Sequence, residues 1–110
     1  MLVVVEVLAQ GNERPPVGAP IRVEARDTSL ADGPSRTVAA ALGEVRLPGG
    51  DWLDTVQLEV PELPDMCTIW AYVDVNRTSR LSRGDFVTTT AYPVPPAVPA
   101  RLTVAVRRVG

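Results

Sequence analysis

The sequence predicts an all-β fold, read as a single antiparallel two-sheet sandwich of about seven strands. Three observations predict it. The 110 residues suit one domain over 1–110, long enough to bury about 65% of its unfolded surface without staples. Eleven Pro and eight Gly cut the chain into short pieces. Most of those pieces alternate apolar and polar residues with period two, which sends neighbouring side chains to opposite faces of a strand.

Leu2–Leu8 reads as the first strand, with Val3, Val5 and Val7 on one face. Gly11–Pro20 is a turn-rich connection. Ile21–Arg26 alternates most clearly: Ile21, Val23 and Ala25 point in, and Arg22, Glu24 and Arg26 point out. Thr37–Val45 is read as a strand because Gly43 and the short length disfavour a helix, although Val38–Leu42 alone could form a turn and a half of one. Leu47–Asp54 is a Gly-rich loop around Pro48-Gly49-Gly50. Thr55–Val60 alternates again, and Pro61 and Pro64 end it. Cys67–Val75 places Cys67, Ile69, Ala71, Val73 and Val75 on one face and Thr68, Trp70 and Tyr72 on the other. Bulk on both faces predicts a central strand. Asp85–Tyr92 is its expected hairpin partner. A proline-rich link then leads to Arg101–Arg107, with Leu102, Val104 and Val106 inward. The first or last strand is the expected sheet edge, with Arg107, Arg108 and the prolines guarding it.

Composition excludes much chemistry. There is no His, so an imidazole base, a Ser-His-Asp triad and a His-ligated metal are excluded. The single Cys, Cys67, cannot form an internal disulfide or a Cys-rich zinc site. All eleven basic residues are Arg, which removes Schiff-base chemistry. A net charge of −2 and a pI near 5.0 argue against a nucleic-acid binder. No stretch approaches the roughly 20 apolar residues of a membrane span. Met1–Leu8 carries Glu6 and lacks a basic n-region, a cleavage site and a nearby Cys, so a cytoplasmic, unanchored chain is expected. No enzyme activity and no cofactor are expected.

Arg22–Pro34 contains Asp27-Thr28-Ser29 and Asp32-Gly33-Pro34, and Phe86–Val94 contains Thr88-Thr89-Thr90 and Tyr92-Pro93. With Leu63-Pro64 between them, these segments resemble the YbaY-like lipoprotein and type III secretion lipoprotein-chaperone (pilotin-like) family. Members of that family show a strand ending in D-x-S-x-A-D-x-P and a later T-x-T-x-Y-P-V strand end. The similarity covers Ile21–Val94. It implies a small β-sandwich without catalytic activity that binds a protein partner, as members that help a secretion-pore protein reach the outer membrane do. Lipid-anchored members carry an N-terminal Cys after a signal peptide, which this sequence does not show. On their own chemistry, Asp27 and Ser29 are turn formers that bond neighbouring backbone N–H groups.

Three side-chain sets could carry binding. Asp74, Asn76, Thr78, Ser82 and Asp85 occupy positions one, three, five, nine and twelve of a calcium-type loop. Ser79 stands where that loop needs Gly, Asp85 replaces the bidentate Glu, and three Arg surround the site. Those three, Arg77, Arg80 and Arg83, form a basic spot suited to an acidic partner segment or a phosphate. Trp52, between Asp51 and Asp54, could stack a sugar. The leading expectation is protein recognition, through these loops or by strand pairing at an exposed edge. The same edge would also serve a homodimer.

Overall fold

The computed structural model describes residues 1–29, 35–47 and 49–110. Eight strands follow in chain order: β1 (Leu2–Ala9), β2 (Pro20–Asp27), β3 (Arg36–Glu44), β4 (Trp52–Glu59), β5 (Cys67–Val73), β6 (Phe86–Thr88), β7 (Tyr92–Pro93) and β8 (Ala100–Arg108). They form one mixed sheet in the order β3-β2-β5-β6-β8-β1-β4, with β7 pairing β5 off that path.

This corrects the expected two-sheet antiparallel sandwich. The chain forms one sheet, curled into a nearly closed barrel. Period-two alternation identifies inward side chains, and a curled sheet satisfies it as well as two opposed sheets do. The sheet is also not antiparallel throughout. β1 and β8 run parallel, in register from Val3↔Ala100 to Ala9↔Val106. Consequently β1 and β8 are interior strands and the edges are β3 and β4. The expected edge at the first or last strand is overturned, and with it the guarding role of Arg107 and Arg108.

The inward residues are nonetheless those that alternation selects. Val3, Val5, Val7, Ile21, Val23, Ala25, Ile69, Ala71, Val73, Val104 and Val106 all belong to the buried core. β-branched side chains dominate it, as suits packing on a pleated surface. β5 lies between β2 and β6, the central place expected of it.

The segment Asp85–Tyr92 is split into β6 and β7. Val87 pairs Tyr72 and Tyr92 pairs Ile69, so the four residues between them on one side face only two on the other. The extra residues leave the ladder, and the Ala71 N–H donates instead to Thr88 Oγ1 at 3.3 Å. Tyr92 lies against the core, and its hydroxyl accepts the Ala105 N–H at 3.1 Å.

β4 begins earlier than its alternation suggests, because a register shift opposite Val7 and Leu8 buries both Leu53 and Asp54. β3 is a strand; Val38, Ala39 and Ala41 pack against the core, and Ala41 and Gly43 toward its end are small. The smallness has a cause. β3 and β4 converge at Gly43, where an added Cβ would overlap Asp54 Oδ2 and lie 2.9 Å from Val56 Cγ2. Asp54 holds this seam, accepting from Glu44 N at 3.1 Å, Arg46 Nε at 2.9 Å and Thr55 N at 2.8 Å. The Arg46 N–H adds a backbone bond to Leu53 O at 2.9 Å.

The turn after β2 forms as read: Ser29 N donates to Asp27 Oδ1 at 2.9 Å. The Asp32-Gly33-Pro34 turn lies outside the described residues, as does Pro48.

Candidate functional site

Pairing of β2 with β5 decides the outer surface. Register places Glu24 beside Trp70 and Arg22 beside Tyr72, and from β3 it sets Leu42 beside Arg22. These residues face away from the core. With Arg77 and Leu81 of the β5–β6 loop they line a groove of about 530 Å³.

Its floor is aromatic and ordered by charge. The Trp70 and Tyr72 rings lie 5.2 Å apart at 37°, and the Arg26 guanidinium carbon sits 4.2 Å from the Trp70 ring centre. Such a cation–π contact contributes about 0.5–1 kcal/mol. Glu24 is the hub. It accepts from Arg22 Nε at 2.7 Å, Thr37 Oγ1 at 2.7 Å and Arg26 Nε at 3.2 Å. Burial opposes its charge, but the bonds from Thr37, Arg22 and Arg26 outweigh burial and hold its carboxyl below the usual 4.5.

A depressed folded-state pKa stabilises the protein above the unfolded value and is lost as pH falls through the folded one. Wild-type stability should therefore exceed that of Glu24→Gln at pH 7. The gap should narrow as pH drops below 4.5. Urea titrations of both proteins between about pH 7 and pH 3 check this.

The neighbouring loop is built on two buried carboxylates. Asp74 accepts from Thr78 N at 3.1 Å and Ser79 N at 2.9 Å. Asp85 accepts from Val75 N at 2.9 Å, Asn76 N at 3.4 Å and Ser82 N at 2.9 Å. The Ser82 hydroxyl also donates to Asp85, at 3.1 Å. Asn76 directs its amide nitrogen to Ser82 Oγ and to Arg83 O, and Thr78 donates its hydroxyl to Arg80 O. The side chains at calcium-type spacing are thus engaged in the loop's own hydrogen bonds. The flanking elements are strands. Burial pushes the Tyr72 hydroxyl above its ordinary pKa, with the charges of Asp74 and Asp85 adding to the effect.

The three Arg have different surroundings. Arg77 lines the groove and donates to Gly18 O at 3.1 Å, whereas Arg83 lies against Gly110 and Arg80 projects exposed from the loop. Trp52 lies elsewhere, opening β4, where its indole donates to Thr55 Oγ1 at 3.1 Å. Arg14, overlooked in the sequence, clamps the loop before Trp52 through the carbonyls of Arg46, Gly50 and Trp52. Cys67 is buried, and its thiol is pushed up by burial and by the charge of Asp27, so it is a poor nucleophile.

Arg77 and Ser79 both hold left-handed backbone, at φ 56° and 61°. This conformation costs a side-chain-bearing residue about 1–2 kcal/mol, and glycine returns roughly half of that in unfolded-state entropy. Ser79→Gly and Arg77→Gly should each raise unfolding free energy by about 0.5–1 kcal/mol in a urea titration.

Sequence reading put Arg22, Glu24 and Arg26 outward on one strand, and Trp70 and Tyr72 opposite the core face of another. It gave no sign that the two strands are neighbours.

Among solved structures, the chain is similar to an alternative pilotin from the type II secretion system of Vibrio cholerae. The TM-score is 0.74, over 100% of this chain and 97% of that one, at 18% sequence identity. No family model and no curated protein matches the chain. The likeness establishes a pilotin-like β fold.

Proposed function

We propose that the chain is a non-catalytic binding module that acts as a pilotin-like chaperone for a protein component of a secretion apparatus. The observation that carries this reading is the match of fold along the whole chain to a secretion-system pilotin. The chemistry of the chain supports it. There is no His or Lys to act as a base, and the one thiol is buried with a raised pKa. An aromatic groove flanked by Arg suits recognition of a protein segment, since Trp, Tyr and Arg are enriched among the residues that carry binding energy at protein interfaces.

The test is in the source cell. A tagged chain should co-purify a secretion-pore component identifiable by mass spectrometry. Deleting the gene should lower the amount of assembled pore in the envelope. Recovery of no secretion component, with pore assembly unchanged, would falsify the reading.

A further inference from the structure

The outer groove of β2 and β5 has two properties that together specify an occupant. The first is exposed apolar surface at its rim. Leu42 is 74% exposed and Leu81 49% exposed, and they come from different elements, edge strand β3 and the β5–β6 loop. Both border the Trp70–Tyr72 floor.

The second is an imbalance of hydrogen-bonding capacity. The acids of the groove are already engaged. Glu24 accepts from three side chains, and Asp74 accepts from two backbone N–H groups of its own loop. The guanidinium of Arg77, by contrast, has five N–H donors and makes a single hydrogen bond among the described residues, to Gly18 O. Unspent capacity at the rim is therefore that of a cationic donor, which a carboxylate satisfies best. The loop also keeps side chains at Arg77 and Ser79, where its left-handed backbone favours glycine. Backbone strain of this kind clusters at ligand-binding sites.

We propose that the groove receives a segment of a protein partner that presents an aliphatic or aromatic side chain next to a carboxylate. The apolar side chain lies on Trp70 and Tyr72 between Leu42 and Leu81, and the carboxylate pairs with Arg77. This rests on the binding role proposed above and names the surface and the chemistry of the partner.

Selection of a phage-displayed library of random 12-residue peptides on the immobilised protein tests it. Enriched peptides should combine Leu, Ile or Phe with an adjacent Asp or Glu. A synthetic consensus peptide should bind by calorimetry, weakening at least tenfold with Arg77→Glu and with Leu81→Asp. Arg77→Gly, which suits the backbone, should weaken it too, with an unchanged far-UV spectrum. Enrichment of no peptide, enrichment of peptides without acids, or a consensus bound equally by all variants would overturn the proposal. Binding through Arg77 and Leu81 without any co-purified secretion component would uphold the groove and remove the pilotin reading. Co-purification of a pore component undiminished by either variant would do the reverse.

Discussion

Replacing Asp85 by Ala should lower the unfolding free energy by about 3–5 kcal/mol, a large share of the roughly 5–15 kcal/mol that holds a domain folded. The side chain is fully buried. It serves four donors: the N–H groups of Val75, Asn76 and Ser82 and the Ser82 hydroxyl. Removing it strands them, and each buried unpaired donor costs about 1–3 kcal/mol. Relaxation and water entry keep the total below the simple sum. Asp85→Asn keeps one acceptor oxygen but turns an amide N–H toward other donors, so it should lose about half as much. Urea titration at neutral pH checks both, with an unchanged denaturant slope as the sign that the same two states are compared. A loss under about 1 kcal/mol for the Ala variant would show that water replaces the carboxylate without penalty. Because Asp85 orders the loop that carries Arg77 and Leu81, its loss should also weaken anything the groove binds.

The second large effect is expected at Gly43. Its Cα faces the seam where the two sheet edges meet, and a Cβ there would overlap Asp54 Oδ2 and press on Val56 Cγ2 at 2.9 Å. Both neighbours are buried, and Asp54 is held by three donors, so neither yields freely. Gly43→Ala should cost about 1–3 kcal/mol, and Gly43→Val more, by overpacking. The damage should be local. The Arg46 N–H, bonded to Leu53 O across the seam, should exchange with solvent far faster, while amides in central β5 keep their protection. Equal loss of protection in β5 would show instead that the barrel opens only by global unfolding.

Both sites were only half legible in sequence. Asp85 was visible as the last residue of a calcium-spaced oxygen set, but not as the acceptor for its own loop. Spacing shows which oxygens can meet; only backbone geometry shows which N–H groups reach them first. Gly43 was visible as a residue that disfavours a helix. That it must be Gly follows from the approach of β4, whose nearest residue is eleven positions away. The groove was legible as two separate outward faces, Arg22-Glu24-Arg26 and Trp70-Tyr72, and no local signal joins them. Trp52, singled out for its acidic neighbours, lies apart from this groove and donates its indole N–H to Thr55 of the same strand.

The sequence by itself determined the all-β class, the inward set of side chains and most strand positions. Those follow from local rules: period-two alternation, the missing N–H of proline and the turn chemistry of Asp, Ser and Gly. It also determined which chemistries are absent, since a chain without His or Lys has no imidazole or amine to offer. Only the tertiary structure decided that these strands curl into one mixed sheet. The parallel pairing of β1 with β8 joins segments about a hundred residues apart, and the convergence of β3 and β4 depends on how the sheet twists. Neither is encoded in any short window. The groove is the product of that pairing: it exists because β2 and β5 lie side by side, a choice the whole core makes when it closes.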